Sequence, residues 1–322
     1  MTLPVIDSFC RAYPGVHVTF LTSKLGTIIA ETVIHQPNFS TRVCNKNEYK
    51  GLGGLNRLYK ELKPLQFDAV ADLHNVLRTK WSDFRFRLSG VPVKVISKGR
   101  NEKKELVAHK INHQLKNGFE RYLDVFKELG FTFDVDYDGK SISTMLSAVG
   151  TLTTNPCIGI APFAQHQGKI YPVELMTQLI DELLNRRRDL TIYLFGSKDE
   201  TPVLDQWKAA HPDNIVNLAG KQSIADDLRV MSQLQAMISM DSANMHLASL
   251  VGLRCFSLWG ATHRYAGFLG YGQREDDCIE VPLPCRPCSI YGNKPCKFGD
   301  YRCMREIKPE EAAEKVLKTI FP

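Results

Sequence analysis

Four residues within one short stretch could handle an anionic ligand: Asp241, Ser242, Ala243 and His246, in the segment MISMDSANMHLASL at 237–250. Its apolar start reads as a buried strand, and 242–251 reads as the helix that follows. A helix opening at the tip of a parallel strand aims unsatisfied N–H groups and its positive dipole end into the crevice there. Ser242 is an N-cap type. Asp241, Ser242 and Ala243 could present a side chain and two backbone amides to a pyrophosphate. His246, just over one turn on, is near enough to reach the same ligand. A plainer reading stays open: Asp241 and Ser242 only cap the helix, and His246 is a core histidine with its own partners.

A second group is rich in sulfur. Of nine cysteines, Cys10, Cys44, Cys157 and Cys255 are dispersed, while Cys278, Cys285, Cys288, Cys296 and Cys303 crowd the C-terminal third. The pair Cys285 and Cys288, followed by Cys296 and Cys303, could form a tetrathiolate site for structural Zn or Fe. The spacing of the second pair is not that of a standard knuckle. Reduced thiols in a packed loop are the other reading. A third, weaker group is His74, Asn75 and Arg78, with Lys80 beside them, after an apolar run that ends at Leu73. Basic residues there could hold acceptor phosphates or carboxylates, or form a solvated helix face.

Positioning these groups takes a particular kind of scaffold. In the first half, helix-like segments at 3–12, 52–62, 76–88 and 117–129 alternate with short apolar runs at 16–21, 67–73 and 91–96. The second half restarts at 157–161 and alternates strands at 190–195, 215–217, 237–240 and 254–258 with helices at 173–185, 201–210, 224–231 and 242–251. A last helix, 309–320, opens on Pro309 with Glu310 and Glu311 in its first turn. Such alternation implies parallel sheets joined by crossover helices. Residues 133–155 are polar and irregular, so they read as a linker between an N-terminal domain, 1–150, and a C-terminal domain, 151–322. The second domain carries the Cys-rich loop 285–303 and the closing helix. The charged run RNEKKE at 100–105 reads as a solvated face or mobile loop, and Arg186, Arg187 and Arg188 read as a C-terminal cap. The first half opens directly on a helix, whereas a doubly wound domain normally opens on a central strand.

Composition narrows the function. The 322 residues suit two domains of ordinary size, and 43% hydrophobic content is enough for two cores. The formal net charge of +6 is spread out and makes no dense basic stripe, which argues against a nucleic-acid partner. A mild positive balance suits an anionic ligand or an anionic membrane surface. No run is long enough to span a membrane and no secretory signal is visible, so cytoplasm is the default compartment.

Taken in order, these segments resemble glycosyltransferase family 9, the ADP-heptose:lipopolysaccharide heptosyltransferases. The strand ending in Asp241-Ser242 with His246 five residues after the Asp, then CFSLWGATH at 255–263, resembles that family's nucleotide-sugar site. KIYP at 169–172 is similar to its Lys-x-Trp-Pro, FGSKDE at 195–200 to its Gly-x-x-x-Glu turn, and LAGKQS at 218–223 to the loop that follows. Thr2-Leu3-Pro4, Tyr13-Pro14 and FDAVADLHN at 67–75 match the first half.

The resemblance implies a GT-B fold, with two Rossmann-like domains facing a central cleft. It implies an inverting transfer of heptose or a related sugar from an ADP-sugar to a lipid A-core or other glycan acceptor. That work would be cytoplasmic, with peripheral contact at the bacterial inner membrane. Lys169 would contact the donor phosphates and Glu200 the nucleoside end, with Asp241, Ser242, Ala243, His246 and Thr262 completing the donor site. His74, Asn75 and Arg78 would face the acceptor. No cofactor would be required for catalysis. The family's catalytic Asp sits in a Gly-Asp pair ahead of Thr-Leu-Pro, and no residue here matches it. Asp7 lies on the wrong side of Leu3-Pro4. Met1 is therefore expected to be an internal methionine, with a strand and the Gly-Asp turn upstream. A sugar-nucleotide epimerase on the same architecture, or a catalytically impaired nucleotide-binding protein, are the competing readings.

Overall fold

In the computed structural model, residues 1–148 and 152–322 are described, and they divide into two compact units. The first is Met1–Arg100 with Lys116–Tyr137, and the second is Asn101–Leu115 with Asp138–Pro322. The junction expected at 150/151 lies outside the described residues.

The first unit opens with α1 (Thr2–Ala12), β1 (Val18–Thr22), α2 (Lys24–Val33) and β2 (Phe39–Val43). It continues through α3 (Gly51–Leu62), β3 (Val70–Asp72), α4 (Leu77–Leu88) and β4 (Val93–Val95). The chain then enters the second unit for α5 (Arg100–Val107) and returns for α6 (Gly118–Glu128). Strand pairing in the first unit stops at two separate parallel pairs, β1 with β2 and β3 with β4. Among the described residues no strand joins them. One apolar cluster forms where Val5 and Phe9 of α1 meet Phe126 and Phe133. A second forms where Leu58, Tyr59 and Leu62 of α3 meet Phe86 and Val93.

The second unit continues through α7 (Gly139–Ser147), β5 (Cys157–Ala161), α8 (Val173–Arg186), β6 (Thr191–Leu194), α9 (Thr201–Ala210) and β7 (Ile215–Asn217). Then come α10 (Ile224–Met231), β8 (Ala236–Met240), α11 (Ala243–Leu250), β9 (Cys255–Leu258), β10 (Cys278–Ile279), α12 (Arg302–Arg305) and α13 (Pro309–Ile320). All six strands are parallel, in the order β10-β9-β8-β5-β6-β7. Ile238 sits in register between Ile160 and Phe256. Every residue of β5, β6, β8 and β9 is buried, as both faces of a parallel sheet between helices must be. From β5 the connections run outward in both directions, to β6 on one side and β8 on the other. A crevice therefore opens at the carboxyl ends of β5 and β8, which is where such sheets bind ligands.

One expectation needs correcting, and one pair of alternatives is decided. The polar stretch 133–155 is not wholly irregular, because α7 lies inside it. Asp138 caps that helix through the amides of Lys140 and Ser141. Gly139 lies so close to Gly252 that an added Cβ would stand 2.4 Å from its nitrogen. Backbone proximity places this helix, not an apolar stripe, and so it leaves little periodic signal. The run 100–105 is a solvated face, with Arg100, Asn101, Glu102, Lys104 and Glu105 exposed, and not a mobile loop. It lies in α5, whose Lys103 is buried with its ammonium 4.3 Å from the Phe268 ring centroid.

Candidate functional site

The crevice is a cavity of about 590 Å³, lined entirely by the second unit. Lys169, Glu200, Asp241, Ser242, Ala243 and His246 all line it. These six expected donor residues, drawn from three separate segments, therefore converge. Thr262 does not reach the cavity. It is fully buried behind it and donates from Oγ1 to Asp241 Oδ2 at 2.9 Å. The same oxygen pairs with Lys169 Nζ at 2.7 Å, with both side chains largely buried. Asp241 thus holds the lysine head group at the cavity wall.

The start of α11 bears on both readings of this motif. Ser242 occupies the N-cap position in an extended conformation, yet its side chain makes no capping hydrogen bond. Its hydroxyl lies 3.2 Å from that of Ser239 instead. Asp241 is engaged by Lys169 and Thr262. The first-turn amides of α11 are therefore left to a ligand or solvent. The Nδ1 of His246 is buried and has no hydrogen-bond partner among the described residues. Burial, with the Lys169 charge adding to it, pushes its pKa down to about 3. The ring is therefore neutral near pH 7, and Nδ1 can donate or accept according to its tautomer.

At the other end of the cavity, Glu200 Oε2 accepts the Ser197 amide at 2.6 Å. A Cβ on Gly196 would stand 2.8 Å from the same oxygen, so the turn needs glycine to keep the carboxylate close. Phe163, Phe195, Ile224 and Leu247 add apolar wall. One end thus offers cationic and amide donors, and the other a carboxylate beside apolar surface. A nucleoside diphosphate has the complementary polarity.

The sequence reading missed Arg286. Inside the Cys285–Cys288 pair it is buried, and it donates to the carbonyls of Gly260 at 2.6 Å, Val281 at 2.6 Å and Thr262 at 3.1 Å. It also donates to Glu280 Oε2 at 2.8 Å. The amides of Cys288 and Ser289 bond the Ala261 carbonyl. The Cys-rich loop is thus fastened to the turn that carries Thr262, and it delivers Tyr291 to the cavity wall. The signal available was an arginine between two cysteines in a chain whose neighbouring turn, Gly260 to Thr262, already looked functional.

The expectation of Zn or Fe on Cys285, Cys288, Cys296 and Cys303 is corrected. Among the described residues no group of three or more His, Cys, Asp or Glu is gathered closely enough to hold a metal. All four are free thiols. Arg286 and backbone hydrogen bonds to Ala261 hold this loop in place.

His74, Asn75 and Arg78 lie in the first unit, and none lines this cavity. Asp72 Oδ1 accepts the amides of His74 and Asn75 at 2.8 and 2.9 Å, and the Asn75 side chain donates to the Ile96 carbonyl. Asn75, at φ 45°, is therefore a turn residue. His74 is exposed and sits below its ordinary pKa, through desolvation first and then the Lys98 charge.

With this geometry in place, relatives can be weighed. The family model described as "Glycosyltransferase family 9 (heptosyltransferase)" matches residues 55–298. The chain belongs to glycosyltransferase family 9. Lipooligosaccharide heptosyltransferase 2 of Haemophilus influenzae is 29% identical to this family 9 chain over 172 residues, 51% of this chain and 47% of that protein. A Campylobacter jejuni protein of the same name is 24% identical over 143 residues, 43% of this chain and 44% of that protein. The matched region thus spans about half the length of these curated relatives. Among solved structures, E. coli heptosyltransferase WaaC with ADP has a TM-score of 0.70 at 15% identity, covering 98% of this chain and 94% of that one. E. coli ADP-heptose lps heptosyltransferase II has 0.67 at 15%, covering 99% and 94%. At these identities the likeness establishes the fold, which is that of the GT-B heptosyltransferases. No helix among the described residues is long and apolar enough to cross a membrane.

Proposed function

We propose that this family 9 chain binds an ADP-sugar in the second unit and transfers heptose, or a related sugar, with inversion to a lipopolysaccharide core acceptor. The observation that carries the reading is the crevice at the ends of β5 and β8. There Lys169, held by Asp241, faces the uncapped start of α11 and an unpartnered His246 nitrogen. As the bond to the anomeric carbon breaks, negative charge grows on the departing diphosphate. Lys169 and the α11 amides stabilise it from fixed positions, so little reorganisation is needed. His246, being neutral, can donate a hydrogen bond to a phosphate oxygen without adding charge. Glu200 fits the ribose hydroxyls, because an ionised carboxylate accepts two donors. An inverting displacement also needs a carboxylate base on the acceptor side, and no residue of this sequence matches the one the family uses. The family resemblance gives Lys169 the phosphates and Glu200 the nucleoside end, and that both line one cavity supports the reading. An acceptor anchored in lipid would make the chain a peripheral protein of the cytoplasmic membrane face.

Titration with ADP, followed by hydrogen exchange of residues 241–246, tests the donor site. Saturating ADP is expected to slow exchange in that segment. Unchanged exchange there at saturation would sink the assignment. Product analysis with ADP-heptose, with and without acceptor, separates transfer from epimerisation and from binding alone.

A further inference from the structure

Helix α4 is built inside out. It buries Asp83 and Phe86 but leaves Leu77 86%, Phe84 51% and Leu88 69% exposed. Leu77, Trp81, Phe84 and Leu88 follow one another at helical spacing, so they form a single outward stripe. Three large exposed apolar side chains on one short helix need an explanation that scattered surface residues do not. Trp81, Phe84 and Leu88 also line a groove of about 510 Å³, which Lys63 and Arg85 share. The Trp81 indole N–H is buried and has no hydrogen-bond partner among the described residues. No Asp or Glu lines the groove. The helix carries Arg78, Lys80, Arg85 and Arg87, and its one carboxylate, Asp83, points inward at 3% exposure.

We propose that α4 is an in-plane membrane anchor, with Leu77, Phe84 and Leu88 entering the headgroup boundary of an anionic bilayer and Lys63, Lys80 and Arg85 meeting lipid phosphates. An apolar stripe with a basic rim is the chemistry such a surface takes up. A second copy of this chain fits poorly. A two-fold contact through this face would bring the cations of both copies into one interface, with no carboxylate in the groove to offset them. The anchor rests on the reading of a lipid-borne acceptor only for its purpose; the stripe, the cations and the unpartnered indole are observations of their own.

The test is co-sedimentation of the full chain with vesicles of phosphatidylcholine alone, or of phosphatidylcholine mixed with phosphatidylglycerol. Binding to the mixed vesicles, weakened by salt and absent on phosphatidylcholine, is the expected result. The triple variant Leu77→Ser/Phe84→Ser/Leu88→Ser should lose at least tenfold in vesicle affinity. Lys63→Gln/Lys80→Gln should lose most of the salt dependence. Tryptophan emission should shift to the blue on binding, and Trp81→Phe should remove the shift, because Trp207 and Trp259 are already buried. ADP titration of each variant reports that the second unit is folded, and hydrogen exchange of α3 and β3 against the parent reports the same for the first. Vesicle binding that the triple variant leaves intact overturns the proposal. So does a concentration-dependent dimer that the triple variant abolishes. ADP binding without vesicle binding would remove the anchor and leave the donor site standing; the reverse would remove the donor site alone.

Discussion

The two units apply one sequence grammar with different completeness. In the second, six parallel strands share one sheet, and its four longest are buried throughout. In the first, four strands form two separate pairs. Leu21 of β1 is 38% exposed, and only Asp72 of β3 is fully buried. Parallel strands depend on cover from both faces and on neighbours at both edges. The second unit can therefore hold side chains from distant segments at fixed positions around one ligand. The first spreads its core over two small apolar clusters. A preorganised diphosphate site belongs on the first kind of frame.

The sharpest test of that rigidity is Lys169→Met. It would leave the Asp241 carboxylate buried with only Thr262 as a side-chain partner, and breaking a buried pair this way costs about 3–5 kcal/mol. A fall in thermal stability confined to the second unit, with ADP affinity down at least ~10-fold (~1.4 kcal/mol), is expected. Calorimetry and ADP titration check it. A variant that melts and binds like the parent would mean that the pair does not organise the site.

Native-state hydrogen exchange compares the frames directly. Amides of β5 and β8 should exchange at least ~100-fold more slowly than those of β1 and β3, a gap of ~2.7 kcal/mol in opening free energy. Equal protection would erase the contrast between the units.

Arg286→Met sharpens the comparison from a different side. Its guanidinium gathers three carbonyls and Glu280, and removing it strands those acceptors at a cost of about 1–3 kcal/mol. Because the loss acts through the Thr262 turn, ADP affinity should fall while the first unit's exchange pattern stays as it was. A drop in first-unit protection instead would show that the two frames are not separate in their response.

Legibility followed the same divide. In the second unit, β5, α9, β7, α10 and α13 fall where apolar periodicity and capping residues place them: β5, α9, β7 and α13 contribute to one core, and Ser223 with Asp226 caps α10. Asp241, Ser242, Ala243 and His246 were readable because strand tip and helix start are adjacent in sequence, whereas Lys169 and Glu200 were readable only as motif members. Thr262 was readable only as a motif member, and its actual place, behind Asp241, is a tertiary fact. In the first unit α2 and β2 left little signal. Only Ala30 and Val33 of α2 are buried, and no residue of β2 is, so their faces carry little apolar contrast. Arg286 was hidden by the cysteines around it, whose spacing suggested a metal.

Proton linkage offers the last contrast, and it has opposite signs in the two units. His246 is pushed from 6.5 down to about 3 by burial, aided by Lys169. Between those values the unfolded chain binds a proton that the folded one refuses. The second unit therefore keeps this stability above about pH 6.5 and loses it as pH falls toward 3, by at most ~1.4 kcal/mol per pH unit. Asp83 in α4 is raised from 3.8 to about 7, by burial first and then by the charge and hydrogen bond of Asp72. Here the folded state holds the proton longer. That contribution is complete below 3.8 and is lost as pH rises toward 7, with the same limiting slope. Hydrogen exchange followed from pH 4 to 7, corrected for intrinsic rates, should show β8 gaining protection while β3 and α4 lose it. His246→Gln should flatten the first trend and Asp83→Asn the second. Parallel pH trends in both units would mean that these two buried groups do not govern them, and that the division seen in the sheets does not extend to their electrostatics.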